Sequence, residues 1–274
     1  LITTAVRVVN ETAETERRMK IYCFPYAGGS ASVFSKWKEI QGDWVEIVPV
    51  ELPGRGVRFT EELCDRMDQL IDDLYSRLEQ GFIEDDYMLF GHSMGSWIVY
   101  YLTHRIVQLG IRSPKHLFLS GKEAPHLNKG DSISYTMKDD EFAKKIYHLG
   151  GTPLEFLENE ELRDVFIPIL KNDYKLVQTC QYVEPAKPFA CGITIFNGKE
   201  DELTEEDINE WSRYTSQEFQ VHHFNGGHFF IHEYAQPILQ TMISVAKKKE
   251  RVKGLKKWAD PNLAVHNYQI SGKE

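Results

Sequence analysis

Ser93 stands inside Gly91-His92-Ser93-Met94-Gly95, the spacing in which a serine hydroxyl can serve as a nucleophile toward a carbonyl carbon. Such a serine has to sit exposed at the tip of a very tight strand-to-helix turn. Side chains two positions before and after it would collide there, so glycine is required at both. With glycine and serine each at about 7% of residues, G-x-S-x-G arises by chance in about one chain in ten of this length, so context has to decide. Here an apolar strand pattern over residues 87–90 precedes the motif and an amphipathic helical pattern over 96–109, closed by Gly110, follows it. A serine that merely capped a helix would have no need of the strand before it.

A hydroxyl attacks only when a base takes its proton. His228, in Gly226-Gly227-His228, directly follows the last strand pattern and falls in the chain order serine, acid, histidine that this turn geometry uses. His222 and His223 lie within that strand, one toward the core and one toward solvent, while His104, His116 and His148 have no comparable context. His228 and His232 are spaced as metal ligands on a helix can be, but there is no H-E-x-x-H and no third ligand is evident, so no metal is expected.

The acid that orients the histidine belongs in a loop after a neighbouring strand. Glu200, Asp201 and Glu202 follow the strand pattern at 193–196, and three adjacent acids do not choose among themselves or exclude a solvated turn. Glu123, one strand earlier, is a rival. An oxyanion needs two donors: the N–H after the nucleophile, on Met94, and a second from an early loop, for which Phe24-Pro25-Tyr26-Ala27-Gly28-Gly29-Ser30 has the right place and two unobstructed glycines. The chain has no G-x-G-x-x-G, and Gly192, Gly198 and Lys199 have the wrong spacing for a phosphate loop.

The elements that must position these groups alternate. Strand patterns at Met19–Phe24, 44–50, 87–90, 116–119, 193–196 and Phe219–Phe224 are separated by helical ones, notably 61–79 and 96–109, which predicts a mostly parallel α/β sheet covered by helices on both faces. The roughly 70 residues between the fourth and fifth strands far exceed an ordinary connection. Helical patterns at Asp139–Leu149, 162–174 and 175–182 make this stretch, about 122–185, a helical lid over the carboxyl ends of the strands. The chain thus divides into a polar lead at 1–18, one domain at 19–246 and a basic C-terminal tail at 247–274. Within that tail residues 247–257 carry a net +6, either as a solvated end or as a docking segment for an acidic partner.

Composition narrows the partners. A net charge of −9 argues against nucleic acid. Four scattered cysteines without a C-x-x-C pair suggest neither a zinc ribbon nor a disulfide framework and fit a reducing, cytoplasmic setting. The lead lacks the apolar core of a signal peptide, and the longest apolar run, at 97–102, is too short to span a membrane.

Taken jointly, Phe24-Pro25-Tyr26-Ala27-Gly28-Gly29, Leu52-Pro53-Gly54-Arg55, Gly91-His92-Ser93-Met94-Gly95, Ser120-Gly121, Ala124-Pro125, Gly150-Gly151-Thr152-Pro153, Gly198-x-x-Asp201 and Gly227-His228-Phe229 occur in the order seen in type II thioesterases. The chain resembles these discrete editing hydrolases of nonribosomal peptide and polyketide synthesis from about Met19 to Ala246, and is similar also to the medium-chain acyl-carrier hydrolase of animal fatty acid synthesis. The resemblance implies an α/β-hydrolase fold with a flexible lid, a triad of Ser93, Asp201 and His228, and an oxyanion hole from the N–H groups of Ala27 and Met94. It further implies no cofactor of the enzyme's own, because the phosphopantetheine arrives on an acyl- or peptidyl-carrier protein. Lys122-Glu123, between Ser120-Gly121 and Ala124-Pro125, is a charged departure. A carboxylesterase or lipase acting on oxygen esters would share the triad but not the whole motif series, and a non-catalytic protein of the same fold would be expected to have lost a triad member.

Overall fold

A computed structural model describes residues 18–127, 129–130, 132–152 and 154–258, with side chains through 251. The lead at 1–17, Pro153 and the tail beyond Trp258 lie outside the described residues. Six strands, β1 (Met19–Phe24), β2 (Val45–Pro49), β3 (Tyr87–His92), β4 (His116–Ser120), β5 (Gly192–Gly198) and β6 (Phe219–Phe224), form one sheet in the order β2-β1-β3-β4-β5-β6. Every pairing is parallel. Parallel strands are covered on both faces and therefore read as nearly unbroken apolar runs. In β1, Tyr22 and Phe24 join Leu89, Leu117 and Ile193 on one side, while Ile21 and Cys23 join Met88, Phe90 and Phe118 on the other.

The helices are α1 (Ser35–Ile40), α2 (Met67–Glu84), α3 (Met94–Gln108), α4 (Asp139–Leu149), α5 (Glu155–Glu158), α6 (Glu160–Thr179), α7 (Glu205–Asn209) and α8 (Ala235–Trp258). Leu70 and Leu74 of α2 and Trp97 and Ile98 of α3 cover the first face; Trp37 of α1 and Ile238 and Met242 of α8 cover the second. The strand order reverses between β1 and β3, and open α/β sheets bind ligands at the carboxyl ends of strands beside such a switch.

Two helical expectations shift. The helix anticipated over 61–79 is α2, which starts six residues later and runs five further. Its start is delayed because the preceding segment wraps the loop after β2: the buried Arg58 guanidinium grips Glu61 and Asp73, and Leu63 lies where Gly54 would carry a side chain. It continues through Gly81, where a Cβ would lie 2.1 Å from the Tyr22 hydroxyl; the glycine allows close packing and lets Phe82 reach the core. The patterns at 162–174 and 175–182 are a single helix, α6, capped by the Asn159 side chain on the Leu162 N–H.

The insertion between β4 and β5 packs around a small core of its own. Ile133, Phe142 and Ile146, with Phe156, meet Ile167, Leu170 and Tyr174 of α6, and Ala27 of the main domain packs against them. The basic segment continues α8. Lys248 and Lys249 both pair with Glu218, at 2.5 and 2.9 Å, and the Lys247 ammonium lies 4.7 Å from the Trp44 ring. Glu218 and Trp44 immediately precede β6 and β2, so these three lysines lie at the amino ends of the strands.

Candidate active site

Ser93 has φ 54° and ψ −119°, and among the described residues no other non-glycine residue has positive φ. Its neighbours explain how so tight a turn closes. A Cβ at Gly91 would lie 2.0 Å from the Gly95 carbonyl oxygen, and one at Gly95 would lie 2.2 Å from that of Phe24. The elbow is then tied to the end of β4: the Ser93 N–H donates to the Ser120 carbonyl at 2.7 Å, and the Ser96 hydroxyl donates toward the carbonyls of Gly91 and Ser120 at 2.9 and 3.0 Å. His92 Nδ1 meets the Ser120 hydroxyl at 2.8 Å, and burial holds the His92 imidazole neutral by pushing its pKa well below the ordinary value.

His228 and Asp201 come together because β5 and β6 are adjacent and parallel. The Lys199 N–H donates to the Phe224 carbonyl and the Glu200 N–H to that of Gly226, zipping together the loops beyond the two strands. A Cβ at Gly198 would lie 2.5 Å from the Gly227 carbonyl oxygen, so only glycine allows this approach. The result is a 2.9 Å contact between His228 Nδ1 and Asp201 Oδ2, both side chains being mostly buried. A carboxylate can only accept, so Nδ1 carries the proton and Nε2 keeps a lone pair.

The His228 ring lies 5.1 Å, centroid to centroid, from that of His92, the residue before Ser93, which carries the imidazole across β4 and β5 to the elbow. Glu200 and Glu202 are exposed on either side of Asp201. Glu123 is buried, pairs with Lys122 at 3.1 Å and makes no hydrogen bond to His228.

Three further histidines are engaged elsewhere. His232 meets the Tyr26 hydroxyl at 3.1 Å, His223 faces Glu205, and His116 bonds to Thr194. Among the described residues no three His, Cys, Asp or Glu side chains are grouped so as to hold a metal.

The loop after β1 reaches the elbow because β1 and β3 are neighbours in register, with Phe24 opposite Gly91. It turns on a bond from the Gly29 N–H to the Tyr26 carbonyl, and the Gly28 N–H donates to Asp173 Oδ2 of α6 at 2.7 Å. Among the described residues the N–H groups of Ala27 and Met94 have no hydrogen-bond partner, nor do the Ser93 hydroxyl and Nε2 of His228. Beside His228 and Asp201 opens a cleft of about 530 Å³, walled on its other side by Ile133, Lys144, His148 and Leu149. The ensemble therefore holds a hydroxyl on a strained, half-buried residue, an oriented imidazole and two free N–H donors at one end of the sheet, which is the equipment of acyl transfer.

Sequence reasoning missed Asp173. A lone carboxylate in a helical pattern reads as solvent-facing, yet Asp173 is fully buried and bonded to Arg55, whose Leu-Pro-Gly-Arg motif was visible without an assigned task.

A family model described as the thioesterase domain matches residues 19–246, and the chain belongs to that family. It is 31% identical to the gramicidin S biosynthesis protein GrsT of Aneurinibacillus migulanus, over 85% of this chain and 91% of that one. It is 32% identical to the medium-chain S-acyl fatty acid synthase thioesterase of Homo sapiens, over 79% and 82% respectively. Among solved structures it is similar to RedJ, a thioesterase of the prodiginine biosynthetic pathway in Streptomyces coelicolor, with a TM-score of 0.77 and 35% identity over 83% of this chain and 90% of that one. The fold is that of these α/β-hydrolase thioesterases.

Proposed function

We propose that this protein is a serine thioesterase that removes acyl groups from the phosphopantetheine arm of acyl- or peptidyl-carrier proteins, editing or releasing chains in peptide, polyketide or fatty acid synthesis. The observation that carries the reading is the His228–Asp201 pair brought beside the Ser93 elbow in a chain of the thioesterase family. Relatives named for gramicidin S and prodiginine biosynthesis support the substrate class. His228 Nε2 takes the Ser93 proton as the hydroxyl attacks the thioester carbonyl, and the N–H groups of Met94 and Ala27 receive the developing oxyanion. The hydrogen bond between serine and imidazole forms when substrate is bound, since such catalytic contacts are often completed only in the complex.

The pantetheine sulfur then leaves with the proton held on His228. A thiol of pKa about 8.5, against about 15.7 for water, needs little acid assistance. Water activated by the same imidazole hydrolyses the acyl-enzyme, and no cofactor of the protein's own enters. Four free cysteines agree with a cytoplasmic setting, and no described helix is long and apolar enough to cross a membrane.

The test is a panel of acyl-loaded carrier proteins beside free acyl-pantetheine thioesters and matched oxygen esters. Thioesters should be strongly preferred, Ser93→Ala should abolish turnover, and a fluorophosphonate should label only the wild type. A preference for oxygen esters would instead make the protein an ordinary carboxylesterase.

A further inference from the structure

The buried pair of Asp173, in the insertion, and Arg55, in the loop after β2, grips the loop after β1 through Gly28 and Gly29, and no step of the mechanism above uses it. Arg55 Nη1 donates to Asp173 Oδ2 at 2.6 Å and Nη2 to Oδ1 at 2.8 Å, a two-pronged contact between side chains that are almost wholly excluded from water. Two further donors are engaged: Nη1 reaches the Gly29 carbonyl at 3.3 Å and Nε that of Pro53 at 3.4 Å. Asp173 Oδ2 in addition accepts the Gly28 N–H at 2.7 Å. One turn earlier in α6, Leu170 covers Gly28 so closely that a Cβ there would lie 2.4 Å from it. Gly28 has φ +77°, so the turn is one that an L side chain would strain.

A buried ion pair is seldom the most stabilising way to fill a volume, because both ions lose their water; well-packed apolar residues often do as well or better. What this pair supplies is geometry. It engages one N–H of the loop, that of Gly28, while the adjacent one, on Ala27, has no partner among the described residues. From the other side the Tyr26 hydroxyl meets His232, so the loop is held at both ends of the turn.

We propose that Asp173, aimed by Arg55, is a positioning residue for the oxyanion hole: from the inserted helix α6 it fixes the Gly28 peptide so that the Ala27 N–H faces the reacting carbonyl. The proposal rests on the reading of Ser93 as the acylated nucleophile. It makes α6 a fixed wall of the site and ties the donor geometry to the seating of the insertion.

The decisive variant is the double change Arg55→Met with Asp173→Leu, which replaces the pair by apolar side chains of similar reach and leaves no charge unpaired. With active sites counted by fluorophosphonate titration, its kcat on a free acyl-pantetheine thioester should fall by about 10²–10³, the loss typical of removing one oxyanion donor, with KM changed less than about threefold. Inhibition by an acyl trifluoromethyl ketone, which forms a tetrahedral oxyanion on the serine, should weaken by a similar factor. A folded double variant with wild-type kcat and ketone affinity overturns the proposal.

Should the double variant not fold, Asp173→Asn keeps the volume and an acceptor for the Gly28 N–H while losing the charge-assisted grip. It should lose about tenfold in kcat at unchanged KM, and no loss overturns the proposal. If the wild type does not hydrolyse thioesters at all, it is the functional reading that fails. The clamp is then judged by amide exchange of Gly28, which should quicken at least about tenfold in whichever variant folds if Asp173 holds it, and which overturns the proposal if it does not change.

Discussion

Ser93 is held at φ 54°, a conformation that costs an L residue on the order of 1–3 kcal/mol and persists only where surrounding contacts over-determine it. Those contacts are the paired glycines and the ties from Ser93 and Ser96 to the end of β4. The strain predicts an order of stabilities among inactive variants. Ser93→Gly should be about 1 kcal/mol more stable to urea than Ser93→Ala, because glycine alone tolerates positive φ without penalty; equal stabilities would mean that the turn is not strained. At the acid, the contact between His228 and Asp201 predicts that Asp201→Asn lowers kcat by about 10²–10⁴, the lower end being favoured by the easy departure of a thiolate. Glu123→Gln, at a carboxylate bound to Lys122, should change kcat only a few-fold. Steady-state kinetics on both variants decides between the two acids, and a crippled Glu123→Gln beside a nearly silent Asp201→Asn would move the orienting acid one strand earlier.

At the scale of elements, the insertion between β4 and β5 is not uniform. Besides the Arg55–Asp173 pair, α6 is anchored to the main domain by the Asn172 amide on the Cys64 carbonyl and by Lys175 on Asp65. Helices α4 and α5 attach mainly through the small core they share with α6. Opening for substrate should therefore involve α4 and α5 moving against a stationary α6. Amide exchange over 139–158 should run faster than over 165–178 and should slow selectively when a phosphonate is trapped on the serine. Equal rates along the whole insertion would contradict a division of this kind.

The carboxyl half of α8 gives a second case. Lys248 and Lys249 bond Glu218 at the amino ends of the strands, whereas the serine, acid and histidine loops all leave the carboxyl ends. Lys248→Gln with Lys249→Gln should accordingly lower Tm by a few degrees. KM for a carrier-bound substrate should stay unchanged at low salt; a marked rise in KM would show that these charges steer the partner.

For the molecule as a whole, burial sets the pH range of stability. Burial pushes His116 down to about 3 and holds His92 well below its ordinary range. Both are neutral when folded and bind a proton on unfolding below about pH 6.5, so the unfolded chain holds more protons and stability falls as pH falls. Bonds from Lys248 and then Lys249 hold Glu218 down to about 2, so its contribution is present above about pH 4.5 and is lost as pH falls from there toward 2. Thermal melts should therefore show a maximum near neutrality, a decline below about pH 6.5 and a steeper one below about pH 4.5. Each buried histidine can add up to about 1.4 kcal/mol per pH unit to that slope. His116→Gln should flatten the decline between pH 6.5 and 4.5, and an unaltered slope would remove His116 from the account.

How much of this could be read from the chain follows from the range of the forces involved. The strands, the α3 helix and the glycine-flanked elbow were legible because each depends on neighbours in sequence: side-chain alternation, helical period, and sterics within a five-residue turn. The choice of Asp201 from three adjacent acids was not available locally, since it depends on which of the three the Gly198–Gly227 contact turns toward His228 once β5 and β6 lie side by side. The extension of α2 past residue 79 through Gly81 was not legible either, because only the tertiary fold brings Tyr22 against that glycine. Arg55 stood in a visible motif, but its pairing with Asp173, 118 residues away, had no local signature. A charged pair is buried only where the whole fold supplies both partners and excludes water from them, and no stretch of sequence around either residue records that it will.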